Sequence, residues 1–427
     1  MLRLIYTLLF TLALPIIVVR LWLRGSKLPA YRARIGERFG VIPQLEKKHK
    51  QTIWFHTVSV GEFIAASQLI NALLETNQYD IVVTTTTPTG SEQVSKKFGA
   101  RVYHVYAPYD IPFLINRFLN KTAPSLAVFM ETELWPNTLR QCHKHAIPTL
   151  LANGRLSAKS AKGYAKFSNL TKPMLHNLSF AAIQNPTDAE RFYRLGLAQK
   201  SSEVTGSIKF DIAIDATLAE RAAQLKGEYS LEGKRKILIA ASTHRGEDEI
   251  ILDAFHKLLE RDNSLLLLLV PRHPDRFNNV AQLCTTRGFN IVTRSSQQAP
   301  SAQTHIVLGD TMGELMLMYG AADIAFVGGS FVANGGHNYL EPAVWGLPIV
   351  SGPSQFNFAT IAQALTQAAS LYTVHSADEL ADQVDGLFAN TAIAQQAGLT
   401  GKRFVSENQG ATQKHLDIIQ RLLSNAP

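Results

Sequence analysis

The chain carries two successive series of short apolar runs, each run followed by a segment of helical character. In the first series "TIWFHTVS", "DIVVTTTT", "RVYHVY", "SLAVFM", "IPTLLAN", "FAAIQN" and "EVTG" read as strands. In the second, "KILIAAS", "LLLLLV", "FNIVT", "HIVLG", "DIAFVGG" and "LPIVSG" do the same. This alternation admits few folds. Strands that are apolar at consecutive positions are buried on both faces, the condition of a parallel sheet with helices on either side. Two such series imply an α/β protein of two Rossmann-like domains with a cleft between them. On this reading residues 51–206 form the first domain and residues 207–233, charged and without a strong apolar run, a linker. Residues 234–427 form the second domain, including the terminal amphipathic helix "ATQKHLDIIQRLL". Ligand sites in such sheets gather at the carboxyl ends of the strands.

Ahead of the first strand lies a different kind of segment. Residues 1–24 read as a membrane anchor and residues 25–50 as a basic juxtamembrane segment. The uncharged run from Leu4 to Val19 is a little short of the ~18–20 residues that span a bilayer comfortably, and Trp22 and Arg24 suit the interface. Basic residues follow the apolar run and no small-x-small site succeeds it, which argues against a cleaved signal peptide. Residues 1–50 hold ten Lys/Arg and two acids, a balance of +8 that equals the formal net charge of the whole chain. The main body is therefore neutral, and its composition gives no ground for nucleic-acid binding. The basic cluster suits anionic headgroups instead and, by the positive-inside bias, predicts a cytoplasmic body. Cys142 and Cys284 lack metal-ligand spacing and suit a reducing compartment.

Six polar clusters fall at expected strand ends. "HTVSVGE" sets Ser59 and Glu62 at a strand-to-helix turn. Ser59-x-x-Glu62 is a capping box in form, yet a carboxylate there, kept ionised by the helix dipole, is also placed to act as a general base. "FMETELWPN" ends a strand in Glu131 and Glu133, which point the same way if the strand continues. Lys209 in "TGSIKFD" follows the last strand of the first series. In "LLLLLVPRHP" two prolines fix a loop around Pro271 and Arg272, and arginine suits bidentate phosphate contact. "GDTMGEL" offers Thr311-x-x-Glu314 as a second capping box, and "GGSFVANGGHNYLEP" brings Asn338, Glu341 and a glycine-rich backbone after a buried strand. Pro342 fits best as the first residue of the helix that follows, which leaves Glu341 to meet a ligand. Because carboxylates repel phosphate, Glu314 and Glu341 fit ribose hydroxyls or base amino groups better. There is no P-loop, no G-x-G-x-x-G, no H-E-x-x-H and no D-x-D.

Taken alone, these residues describe a membrane-attached, two-domain nucleotide-sugar enzyme, with a non-catalytic, membrane-tethered nucleotide-binding module as the rival. Together "SVGE", "ETELWPN", "NGRLS", "PRHP", "MGEL" and "GGHN-x-LEP", in this order behind an apolar N-terminus, resemble the bacterial 3-deoxy-D-manno-octulosonic acid (Kdo) transferases. The resemblance covers nearly the whole chain. It implies a GT-B glycosyltransferase on the cytoplasmic face of the inner membrane. The implied reaction moves Kdo from CMP-Kdo to a lipid A precursor (lipid IVA), with inversion and with neither metal nor cofactor. It also implies that Glu62 is the general base and that Glu131 and Lys209 support the transition state. CMP would be held by Pro271 and Arg272, by Met312, Gly313 and Glu314, and by Asn338, Tyr339, Leu340 and Glu341. Tyr339 departs from the family, which more usually has proline there. Other GT-B enzymes using a nucleotide sugar are the alternative.

Deleting residues 1–24 is expected to release part of the protein from membranes while circular dichroism keeps the folded spectrum. An unfolded spectrum would make the segment part of a core.

Overall fold

The structure, a computed structural model, describes residues 2–26, 28–46, 48 and 51–424. It forms two compact units, Met1–Asp211 with Gln409–Pro427, and Ile212–Asn408. Of the basic segment, Lys27, Lys47 and Lys50 lie outside the described residues.

The first unit holds β1 (Gln51–His56), β2 (Tyr79–Thr85), β3 (Tyr103–Tyr106), β4 (Leu126–Met130), β5 (Thr149–Gly154), β6 (Phe180–Ile183) and β7 (Ser202–Val204). All pair in parallel, in the order β3-β2-β1-β4-β5-β6-β7. Side chains alternate between two cores. Trp54, Val82, Phe129 and Leu151 face one, and Ile53, Phe55, Val128 and Leu150 the other. The chain leaves β1 to its two sides, toward β2 and toward β4, so the order reverses between β1 and β4. Ligands bind at such a reversal.

The second unit repeats the plan with β8 (Ile237–Thr243), β9 (Leu266–Pro271), β10 (Ile291–Thr293), β11 (Ile306–Leu308), β12 (Ile324–Val327), β13 (Ile349–Ser351) and β14 (Leu371–Thr373). The order is β10-β11-β9-β8-β12-β13-β14, again all parallel. Its reversal lies between β8 and β12. There Gly328 passes so close to β8 that a Cβ on it would lie 2.6 Å from the Ser242 carbonyl oxygen, a distance only glycine allows.

Two boundaries differ from the sequence reading. The terminal helix Ala411–Ser424 packs on the first unit, not the second. Its apolar face, Ile418, Ile419 and Leu423, completes the core behind β1 and β4, and the His415 Nε2 accepts from the Asn153 N–H at 2.8 Å. Amphipathicity showed that this helix needs a partner but could not say which. The expected linker is likewise structured. Helix Ala216–Tyr229 buries Ala222, Leu225 and Tyr229 in the second unit's core, so the free connection shrinks to a few residues. The sequence reading also lacked β14, which is three residues long.

Candidate active site

In the first unit the loop after β1 enters the helix Val60–Glu75, capped by Ser59, whose Oγ accepts from the Glu62 N–H at 3.3 Å. Glu62 folds back over its own helix start. Its Oε2 accepts from the Val58 N–H at 2.7 Å and its Oε1 from the Ser59 hydroxyl at 2.7 Å. The expected box is thus present, with the Val58 amide in place of the Ser59 amide. Glu62 is buried, at 7% exposure. Burial pushes its carboxyl up to about 7, against the pull of the Val58 and Ser59 hydrogen bonds, and the charges of Glu133 and Glu131 push the same way. The helix dipole therefore does not hold it ionised, as expected from sequence; desolvation outweighs it.

Glu131 stands at the end of β4 in the left-handed region, at φ 54°. The strand stops at Met130, so strand alternation does not align Glu131 with Glu133. Glu131 instead pairs with Arg155, Oε2 to Nε at 2.6 Å. Glu133 accepts from the Trp135 indole at 3.1 Å and is raised by burial. Asn153, also left-handed at φ 53°, lies at the end of β5. Its Oδ1 accepts from the Ile208 N–H at 3.2 Å, which ties down the 3-10 turn Ile208–Phe210 that carries the half-buried Lys209. A non-glycine residue with positive φ is uncommon, and such outliers cluster at functional sites.

In the second unit Pro271 is the last residue of β9 and Arg272 is exposed beyond it. Among the described residues the Arg272 guanidinium has no ion-pair partner, whereas neighbouring Arg276 is committed to Asp248 and to the Thr243 carbonyl. The charge of Arg272 lies within reach of Glu341, which burial raises and Arg272 opposes. Asn338 links the two ends of its motif, donating to the Glu341 Oε1 and accepting from the Leu340 N–H, both at 3.1 Å.

Three expectations are corrected here. The helix Leu340–Val344 begins two residues earlier than proposed, so Pro342 is its third residue, not its first. The first-turn amides have no intrahelical partner, so proline costs nothing there. Tyr339 and Leu340 are fully buried, so neither side chain faces a ligand. The Tyr339 hydroxyl meets the Ser351 Oγ at 2.8 Å and occupies the place a Gly336 Cβ would take, 2.3 Å away. Finally, Thr311 and Glu314 form no capping box. Glu314 is held by Arg294 through Nε and Nη2, each at 3.1 Å, and by the Thr311 hydroxyl at 2.6 Å. The Arg294 fork lowers its carboxyl below the usual range. Met312 stays exposed and Gly313 is left-handed beside it.

Sequence reading missed the groups that hold the glycine loop. Glu247, fully buried, accepts from the His244, Gly329, Ser330 and Phe331 amides at 2.7–2.9 Å. His244 and His337 stack with planes 6° apart, their Nε2 atoms within hydrogen-bond distance at 2.8 Å. Both are lowered, first by burial, and His337 falls to about 4. The one local signal was "STHRGE", a polar run at the end of "KILIAA".

A family model described as 3-deoxy-D-manno-octulosonic-acid transferase (kdotransferase) matches residues 33–212. Over 423 residues the chain is 42% identical to a 3-deoxy-D-manno-octulosonic acid transferase of Haemophilus influenzae, with 99% of each covered. To the enzyme of that name from Bordetella pertussis it is 33% identical over 379 residues, 86% of each. Among solved structures, a glycosyltransferase from Rickettsia africae matches with a TM-score of 0.55 at 16% identity, covering 88% of this chain and 99% of that one. At that identity the match speaks to the fold alone.

Glu247→Gln replaces one acceptor oxygen with a donor that faces amides. Amide exchange at Gly329, Ser330 and Phe331 is expected to quicken by at least about tenfold, the equivalent of one lost net hydrogen bond. Unchanged exchange at these three amides would show that Glu247 does not hold the loop.

Proposed function

The chain belongs to the 3-deoxy-D-manno-octulosonic acid (Kdo) transferase family, and from that premise we propose how its residues divide the reaction. It is a glycosyltransferase that moves Kdo from CMP-Kdo to a lipid A precursor in lipopolysaccharide biosynthesis. It associates with the inner membrane, and we place its body on the cytoplasmic face, as the basic residues after the apolar helix favour.

Glu62 is the general base. The acceptor hydroxyl oxygen attacks the anomeric carbon of Kdo. As that bond forms, the hydroxyl proton passes to Glu62, and the bond from carbon to the CMP phosphate oxygen breaks with its electron pair leaving on CMP. The observation that carries this reading is the state of the carboxyl. It is buried, raised to about 7, and among the described residues paired with no cation. A base poised near the working pH combines a useful ionised fraction with a real affinity for the proton. Glu131 is the competing carboxylate, but one of its oxygens is already engaged by the Arg155 guanidinium at 2.6 Å. Glu131, with its Arg155 partner, and Lys209 then support the transition state.

CMP is held by the second unit. Arg272 contacts the phosphate. The backbone around Gly313 and Asn338–Glu341, together with the Glu341 and Glu314 carboxylates, receives the nucleoside's hydroxyl and amino donors. Asn338 sets the Glu341 oxygen, and Arg294 sets Glu314.

Arg272→Ala is expected to weaken binding of an unreactive CMP-Kdo analogue by about 1.5–3 kcal/mol in calorimetry, the size of a charge-assisted hydrogen bond. Equal affinity would move the phosphate elsewhere.

Glu62→Gln separates base from cap. The amide keeps part of the capping box and costs at most about 1 kcal/mol of stability, but it cannot take a proton, so turnover is expected to fall by about 10²–10⁴-fold with donor affinity kept. The sign of the pH effect follows from the raised carboxyl. The wild type loses kcat/KM as pH falls through about 7, and Glu62→Gln lacks that limb. Near-normal turnover in Glu62→Gln with turnover abolished in Glu131→Gln would transfer the base role to Glu131.

A further inference from the structure

The helix Leu2–Arg24 is long and apolar enough to cross a bilayer. Yet its N-terminal half is fastened to the first unit. In its first turns the Tyr6 hydroxyl donates to the buried Asp110 at 2.9 Å. Arg3 donates to the Asn137 Oδ1 at 2.9 Å, and Asn137 Nδ2 donates to the Thr7 Oγ1 at 2.9 Å. Asp110 and Asn137 belong to the body: Asp110 also accepts from the Asn137 and Thr138 amides that open the helix Pro136–Lys144. Further along, the Phe10 ring lies 6.4 Å from Tyr109. Beyond the helix, Phe39 meets the same ring at 5.5 Å, and Tyr109 donates its N–H to the Arg38 carbonyl at 2.9 Å. Residues 10 and 39 therefore converge on one side chain of the body.

Side-chain burial follows the same geometry. The half-buried positions are 3, 6, 7, 10, 13, 14, 17, 18 and 21, an unbroken stripe at helical spacing on the side of the helix that carries these contacts. The opposite face carries Leu8, Leu12, Ile16 and Val19, each more than half exposed. A crossing helix cannot satisfy these contacts. From Arg24 back to Thr7 the helix rises about 25 Å, most of the ~30 Å hydrocarbon thickness. With Arg24 at the body's side, Thr7 would lie near the far leaflet, out of reach of Asn137.

We propose that this helix does not cross the membrane but lies along its surface, strapped to the catalytic unit, with Leu8, Leu12, Ile16 and Val19 sunk into the acyl boundary of an anionic leaflet. Its other end supplies the matching charge. Arg20 and Arg24 are exposed, and Arg32 stacks over Trp22 at 4.0 Å while donating to the Trp22 carbonyl at 3.0 Å. That places tryptophan and guanidinium together, as headgroup contacts require. The inference rests on the membrane association stated above and on no assigned catalytic role.

Depth measurement tests it. Single cysteines at Leu8, Leu12, Ile16 and Val19, one per full-length variant, carry an environment-sensitive fluorophore. All four face away from the body, so the straps stay intact, and native Cys142 and Cys284 are buried. The variants are bound to phosphatidylglycerol–phosphatidylethanolamine vesicles whose lipids bear quenchers at shallow or deep positions. One common shallow depth, about 5–10 Å into the headgroup–acyl boundary, is expected at all four sites. A depth that changes by about 1.5 Å per residue and reaches the bilayer centre would mean that the helix crosses. Absence of quenching at every site would mean that something other than lipid covers this face. Either result overturns the proposal, and neither depends on Kdo transfer.

Discussion

A parallel strand buried on both faces has little room for charged side chains, and its backbone groups are consumed in the ladder. Everything reactive in this chain is therefore displaced to where the ladders stop. His56, Met130 and Gly154 end β1, β4 and β5; Glu131 and Arg155 follow directly, and Glu62 lies in the first turn of the helix after β1. Thr243, Pro271 and Val327 end β8, β9 and β12, and His244, Arg272 and the glycine loop follow them. The close pass of Gly328 over Ser242 lets the strands flanking the second reversal bring their loops together.

Four carboxylates on these loops show how one side-chain type is given different work. A carboxylate has about four lone-pair sites. Glu247 fills them with four amides. Asp110 fills them with two amides and two hydroxyls. Glu314 spends three on Arg294 and Thr311. Each is a fastener. Glu62 has a single donor on each oxygen, the Val58 amide and the Ser59 hydroxyl. It is fixed in direction yet keeps a lone pair on each oxygen for an incoming proton, and burial raises its demand for one.

This difference marks the limit of what the sequence could tell. Ser59-x-x-Glu62 and Thr311-x-x-Glu314 are the same pattern, and one folded as a cap while the other did not. The deciding group, Arg294, lies 20 residues away on another strand end. Local signals carried the strands, the first cap and the loop fixed by two prolines, because each depends on neighbours in sequence. Glu247, His244 and Asp110 act across 82 to 93 positions or bind a helix 104 residues distant, and no spacing rule reaches that far. The N-terminal segment shows the same limit from the other side. Its apolarity was legible, but the residues that strap it down, Asp110 and Asn137, belong to a loop and a helix far along the chain.

The return of the last helix to the first unit follows from the same economy. Asn153 has its backbone in the left-handed region and three of its four polar groups bonded within the first unit. Its N–H goes to His415, its carbonyl to Gln184 and its Oδ1 to Ile208. Without the terminal helix that N–H would be a buried donor with no acceptor, which costs more than the bond itself gains. Asp211, the last residue before the chain enters the second unit, accepts from the Gly410 and Thr412 amides, where the chain comes back. One carboxylate thus clasps the outgoing and returning segments together. The turn that carries Lys209 is fixed on one side by Asn153 and on the other by Asp211. The transition-state role proposed for Lys209 gains from that support, because a lysine side chain supplies a point charge and no geometry.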